Sequence, residues 1–540
     1  MLDQSLSVSE PAAGPRHAAA AGFGPVRAWR RLPPLLRMVV LLHGLMLLTA
    51  TVLYPNYRGP DEPLHVDLIA ATAQGDAVPW PTPGMRQVSR GVGAAGFLGN
   101  GRIDVRSVLV AGMAPPRDRR PTYRSVGGET PGPAPNQLVQ HPPAFYYLMA
   151  PVLAVVPHWQ DQPFDRVVAW LRVVNALLLV PLPLLGYALA RRVGLPSPAA
   201  VAAAAVPLAV PQLYHIGSAV NNDNLLLPLL AATAVVAASV GRGDLRPRTA
   251  AGLGLLVGAC LLTKGFGLFL PLLVGLAYLV GASRRGLRRA VLPLALAQAV
   301  ALGTGGWWWI RNKIEYGVLQ PDGTKLVQPH LTAHTTFRET GLQWLGQFGT
   351  LMNRRFWLDP GATRLPAIAG LLAAAGAVLV VGGVLLTLAL RSPARRDQLL
   401  LAVPFVCLAG IVAFGSWDAW EKVLRTSGMQ GRYLYGALPG LAVLVVGGLG
   451  RLLGRWTPAV VLTAAALAQL VGLALTLRVY WLPAGGSEPG RLLSAGRGIL
   501  AWSPWPPVLV LPLLTAVAVV GVGTLSRAWT ESLERVEPLP

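Results

Sequence analysis

Residues 35–65 read LLRMVVLLHGLMLLTATVLYPNYRGPDEPLH. The apolar run 35–54 is long enough to cross a hydrocarbon core as a helix, which takes about 20 residues. After six intervening residues, Asp61 and Glu62 stand between Pro60 and Pro63. A carboxylate pair so close to the end of a span lies at the membrane boundary. In the following Leu64–Gln74, Leu64, Leu68 and Ile69 fall on one side of a helix, with His65, Asp67 and Gln74 elsewhere. This pattern predicts a helix lying flat on the outer interface. Asp61 is suited either to cap that helix or to act as a general base at the membrane surface.

The rest of the chain agrees with a membrane reading. Of 540 residues, 53% are hydrophobic and 13% charged, about half the charged share of a soluble domain. A soluble globular protein, a disordered chain and a coiled coil are excluded. The expected class is an all-α polytopic membrane protein. Candidate spans are 35–54, 166–190, 197–217, 224–240, 249–263, 266–282, 290–310, 363–390, 398–416, 433–450, 457–477 and 506–525. The formal charge of +22 needs a water-exposed domain to recruit nucleic acid, and no such domain is visible, so no nucleic-acid partner is expected. Cys260 and Cys407 lie in apolar runs and read as packing residues, too few for a disulfide framework.

Orientation follows from the short loops, because cytoplasmic loops carry the excess of Lys and Arg. Loops 191–196, 241–248, 283–289, 391–397 and 451–455 hold 14 basic residues and two acids. The opposite set, 218–223, 264–265, 417–432 and 478–505, holds seven basic residues and four acids. This division requires that the short, proline-punctuated stretch 144–157 does not cross, so it reads as interfacial or re-entrant. About twelve spans (11–13) are expected, with both termini cytoplasmic. Residues 1–34 and 527–540 read as cytoplasmic tails, the first disordered. Two large loops, 55–143 and 311–360, then face outside, without the strand periodicity of an independent domain.

The topology collects polar residues at outer helix ends. His141 precedes Pro142-Pro143, as a turn residue or a ligand contact, and Phe145-Tyr146-Tyr147 reads as an aromatic anchor. Asn221-Asn222-Asp223 forms a polar turn or touches a sugar or metal. Lys264 is the lone charged residue in an apolar stretch from 249 to 282. A charge at that depth is costly and suits a phosphate headgroup or snorkels to water. Trp307-Trp308-Trp309 reads as belt anchors ahead of Arg311. Arg432, beside Tyr433, sits where bidentate phosphate recognition is natural, or is a snorkelling end charge. No Walker loop, Rossmann fingerprint, zincin helix or nucleophile elbow is present.

Assembled in order, these motifs resemble the GT-C superfamily of integral-membrane glycosyltransferases, chiefly over residues 35–360. The matching elements are Pro60-Asp61-Glu62-Pro63-Leu64-His65, His141-Pro142-Pro143-Ala144-Phe145-Tyr146-Tyr147, Leu171-Arg172-Val173-Val174-Asn175, Asn221-Asn222-Asp223 and Thr263-Lys264-Gly265. The Arg-Asn at 311–312 and Gly-Arg-Tyr at 431–433 resemble an uncharacterised bacterial membrane family of that clan. The resemblance implies a GT-C fold with a catalytic module over 35–360, variable helices over 361–526, and a site at the extracytoplasmic face of the plasma membrane. It implies a polyprenyl-phosphate-linked sugar donor and a glycan, lipid or protein acceptor. Asp61 becomes the base and Glu62 a supporting carboxylate. Lys264, Arg311 and Arg432 become leaving-phosphate contacts, with His65, His141, Tyr146, Asn222, Asp223 and Tyr433 around the substrate. Members of the superfamily differ in holding a divalent metal; here Asp61, Glu62 and Asp223 are the candidate ligands for Mg or Mn. Rival readings are a ligase or polymerase acting on a lipid-linked oligosaccharide, and a lipid-linked sugar transporter. The transporter reading is the weaker, since transporters place polarity near the midplane of repeated halves.

Overall fold

Pro34 occupies the first turn of helix Pro34–Leu53, where its missing N–H costs nothing. The helix stops at Tyr54, before Pro55. The computed structural model describes residues 29–93, 114–321, 340–359, 367–389, 395–423, 428–483 and 487–534. These residues form an all-α multi-pass membrane protein, and each of the twelve expected spans is mainly helical over its described residues. Among the described residues, nine helical segments are long and apolar enough to cross a membrane. A tenth arises if Ser197–Ala209 and Pro211–Ser218, bent by 65°, form one span. The expected straight span 197–217 is therefore broken, because Pro207 and Pro211 each remove a backbone donor. The segment Gly431–Trp481 contains two helices, Leu438–Leu453 and Thr457–Thr476, which turn at Gly454 with φ 52°. Pro247–Leu261 is apolar but only 15 residues long.

Leu371, Val378, Leu385, Val508, Val519 and Val522 are exposed on Ala367–Ala389 and Pro507–Glu534. In water such surfaces aggregate; in hydrocarbon they are solvated. Helix association in lipid then depends on close approach. Helix Pro247–Leu261 brings Gly254 and Gly258 against Leu287–Ala301 and the π-turn Leu302–Gly306. A Cβ at Gly258 would lie 1.9 Å from Thr304 Oγ1, so only glycine permits this contact.

The first large loop is folded over its described residues. Strands Gln87–Ser89 and Pro131–Pro135 pair antiparallel. Asp67, fully buried, accepts Ser89 N–H (2.8 Å) and Asn136 Nδ2 (2.9 Å). That closure buries helix Glu62–Gln74 on most sides, Leu64 being only partly buried, so its apolar side packs within the protein. Arg117 and Arg120 donate to the carbonyls of Leu500 (2.6 Å) and Ala501 (2.7 Å). They thereby cap Glu488–Trp502, a helix absent from the sequence-based expectation. Helix Ala144–Ala154 has 11 residues, about 16 Å, too short to span. Phe145 and Tyr146 on it are fully buried and only Tyr147 is exposed, so the expected aromatic anchor reduces to one residue. Trp308 and Trp309 are likewise buried, Trp309 donating to the Leu261 carbonyl (3.0 Å), leaving Trp307 exposed.

Candidate active site

Glu62 and Arg172 are both fully buried and form a forked ion pair, Nε–Oε1 2.7 Å and Nη2–Oε2 2.6 Å. Arg172 also donates to the carbonyls of Tyr54 (2.6 Å) and Pro55 (2.9 Å), at the end of the first span. Glu62 in turn accepts Tyr57 N–H (2.7 Å) and Val220 N–H (3.0 Å). Every oxygen of Glu62 is engaged. Its position is that of a clasp tying the first span, the helix Phe164–Leu177 and the 219–223 turn together. Arg172 carries that clasp, although it is not among the site residues the motifs imply. An arginine inside an apolar span was the available signal.

Asp61 points elsewhere. Its backbone is left-handed, φ 61° and ψ 5°, a conformation that costs a non-glycine residue about 1–2 kcal/mol. It stands at the N-cap position of Glu62–Gln74, but its side chain makes no cap bond, which corrects the capping expectation. Instead its carboxylate, 37% exposed, accepts Arg432 Nη2 at 2.8 Å. Arg432 Nε lies 3.9 Å from Asp223 Oδ2, and Lys264 Nζ lies 2.5 Å from Asp223 Oδ1. Asp61, Arg432, Asp223 and Lys264 thus form a chain of alternating charges, three of them buried. Lys264 and Arg432 also lie over the Tyr433 ring, at 5.5 and 5.2 Å. Asn221 Nδ2 donates to the Pro60 carbonyl (3.2 Å), pinning the turn against the Asp61 segment.

Several buried polar atoms beside this chain have no hydrogen-bond partner: Asp223 Oδ2, Arg432 Nε, both amide atoms of Asn222, and His141 Nδ1. Buried polar groups are normally satisfied, so this concentration is that of a site built for a polar guest. His65 packs on Tyr146, its Nδ1 3.1 Å from the hydroxyl, with Trp80 behind. Arg311 is not brought to the cluster. It pairs with Glu315 (Nε–Oε1 2.9 Å) over the Trp308 ring rather than with the carboxylates of that chain.

Burial, and then the positive charges of Lys264 and Arg432, holds His141 down to about 3 and His65 well below the ordinary histidine value. Both stay neutral in the folded protein while the unfolded chain takes up protons below about pH 6.5. Stability is therefore fully present above pH 6.5 and falls as pH drops, by about 1.4 kcal/mol per unit for each histidine. Thermal midpoints in detergent should decline from pH 7 to 5, and His141→Asn should flatten the slope. A decline unchanged in that variant contradicts the account.

The family described as "Predicted membrane protein (DUF2142)" matches residues 45–441. The chain belongs to this family. The DUF2142 match takes in Asp61, Glu62, Arg172, Asp223, Lys264 and Arg432, and it meets the expectation of an uncharacterised membrane family. No curated protein matches the chain. Among solved structures it is similar to ArnT from Cupriavidus metallidurans bound to undecaprenyl phosphate, at 16% identity over 92% of this chain and 74% of that one, TM-score 0.48. It is also similar to the archaeal oligosaccharyltransferase AglB from Archaeoglobus fulgidus in complex with an inhibitory peptide and a dolichol-phosphate. There the identity is 14%, over 85% of this chain and 55% of that one, TM-score 0.38.

The DUF2142 cluster does not fit a divalent cation. Glu62 has no free oxygen, the Arg432 guanidinium stands between Asp61 and Asp223, and the Lys264 ammonium takes the other Asp223 oxygen. Among the described residues no group of three or more His, Cys, Asp or Glu has metal-binding geometry. Arg432 also joins from beyond residue 360, so the cluster extends outside the module expected over 35–360.

Proposed function

We propose that the chain is a membrane glycosyltransferase of the GT-C type. It moves a sugar from a polyprenyl-phosphate donor to an acceptor hydroxyl at the extracytoplasmic face, with inversion. The observation that carries this reading is the Asp61–Arg432–Asp223–Lys264 chain, with partnerless polar atoms around it, at the end of apolar helices. A lipid donor keeps its tail among the helices and delivers its phosphate at that depth.

Asp61, the half-exposed member, accepts the proton of the acceptor hydroxyl. The acceptor oxygen attacks the anomeric carbon while the bond to the phosphate oxygen breaks, and the electron pair leaves on the phosphate. Arg432 and Lys264 balance the charge developing there, and Asp223 holds Lys264 in place. The unpartnered amide of Asn222 and ring nitrogen of His141 are free to bond sugar hydroxyls. Glu62 positions the Asp61 segment without touching substrate.

The test is transfer of labelled sugar from a polyprenyl monophosphate by the purified chain in liposomes. Flux of the lipid without covalent transfer contradicts the reading. Lys264→Met should slow transfer by about 10²–10³-fold, the cost of losing one electrostatic stabiliser. That variant also strands Asp223, so it is compared with Lys264→Met/Asp223→Asn. If Lys264 acts on the phosphate, the double variant stays slow. Recovery in the double variant assigns Lys264 to neutralising Asp223 alone.

A further inference from the structure

At the other end of the bundle five arginines converge on one open crevice of about 550 Å³. Helix Asp223–Gly241 begins at the candidate active site and ends at this crevice. Its 19 residues span about 28 Å, close to one hydrocarbon thickness. The two places are thus at opposite membrane faces.

The crevice is built by helix ends distant in sequence. Leu182–Arg192 ends in Arg191 and Arg192, Asp223–Gly241 is followed by Arg242, and Leu270–Arg285 ends in Arg285. Arg246 precedes Pro247–Leu261 and is committed to Asp244 through a two-pronged contact of 2.7 and 2.5 Å. Of the others, only Arg242 pairs with a carboxylate among the described residues. Arg191 donates to the Leu195 carbonyl (2.6 Å) and Arg192 to the Ser239 hydroxyl (2.9 Å). Arg242 lies 3.7 Å from Asp397, whose other oxygen is taken by Arg284 at 2.8 Å. Gly243, at φ +97°, lets Arg285 lie across the backbone, where a Cβ would meet its Nε at 2.9 Å.

Orientation signals need only reside in loops; they need not share a cavity. With Arg284 counted, six guanidiniums stand against two carboxylates, Asp244 and Asp397, and leave four positive charges. Three helix C-termini and one N-terminus remove about one of these. A surplus of about three remains on exposed side chains whose planar forks match phosphate oxygens. Basic pockets between spanning helices are the setting in which anionic headgroups bind.

We propose that this crevice binds a phosphate-bearing anion, held by Arg192, Arg242 and Arg285. A lipid headgroup and a soluble phosphate compound share that chemistry. The full chain, purified in detergent, is titrated with cardiolipin, phosphatidylglycerol, phosphatidylcholine and inorganic pyrophosphate. Retained ligand is read by native mass spectrometry and by the thermal midpoint. Saturable binding is expected for an anionic probe and none for phosphatidylcholine. Arg242→Gln/Arg285→Gln should weaken it at least ten-fold. Arg288→Gln/Arg289→Gln, which removes two exposed charges at the same face outside the crevice, should bind as the unaltered chain does. Preference for cardiolipin or phosphatidylglycerol assigns a lipid, and preference for pyrophosphate assigns a soluble compound; either supports the site. No saturable binding to the unaltered chain, or equal loss in both paired variants, overturns it. Arg192→Gln alone, at a single exposed helix end, repeats the comparison if the first pair fails to fold. The readout is binding, so the proposal stands or falls independently of glycosyl transfer.

Discussion

Asp61→Asn is expected to slow sugar transfer by about 10²–10⁴-fold, the range of a lost general base, while the protein keeps its folded stability. The expectation rests on what asparagine preserves. It is isosteric, and it is one of the few residues that tolerate the left-handed backbone adopted at position 61, φ 61°. Its Oδ1 still accepts from Arg432 Nη2, which lies 2.8 Å from the carboxylate of the native chain. What asparagine removes is the capacity to take a proton. Asp61→Ala is a poorer test, since it deletes the Arg432 contact and leaves a buried guanidinium with less compensation. Initial rates at saturating donor, set beside the thermal midpoint, decide the matter. Near-normal transfer by a stable Asp61→Asn protein removes Asp61 from the chemistry. A collapsed midpoint would instead assign Asp61 to the fold.

The members of the charged chain were legible individually because each is a rare ionisable residue at the end of an apolar run. Asp61, Asp223, Lys264 and Arg432 are 371 positions apart at the extremes, and nothing local states that they meet. The apolar helices themselves were legible from length and hydropathy, nine segments among the described residues being long and apolar enough to cross. The pairing is a tertiary fact. So is the separation of Asp61 from Glu62: the left-handed backbone at 61 sends one carboxylate to Arg432 and the other to Arg172. Arg311 stands apart from the Asp61–Lys264 chain because a tryptophan-rich helix end marks the membrane boundary whether or not a substrate arrives there. Its partner Glu315, one helical turn on, is the ordinary i,i+4 arrangement and was present in the sequence. The burial of Leu64–Gln74 was not legible because it depends on Asp67 recruiting Ser89 and Asn136, which folds the loop over the polar side.

Glu62→Gln and Arg172→Met should each destabilise the protein by about 3–5 kcal/mol, the cost of leaving one partner of a buried pair uncompensated. The magnitude is large because neither group has water to fall back on: both side chains are wholly inaccessible, with contacts at 2.6 and 2.7 Å. The pair also organises backbone. Losing Arg172 orphans the Tyr54 and Pro55 carbonyls, and changing Glu62 weakens the bonds from Tyr57 and Val220 N–H. Glu62→Leu/Arg172→Met removes both charges together. It should recover part of the lost stability, since an apolar pair carries no unpaired ion. Thermal midpoints of the two single variants and this double variant measure the coupling. Transfer rates per folded molecule then separate positioning from chemistry. If Glu62 acts by holding the Asp61 segment, the double variant regains activity in step with its stability. If Glu62→Gln keeps the native midpoint yet abolishes transfer, Glu62 belongs to the reacting centre, and the clasp described here is not its role.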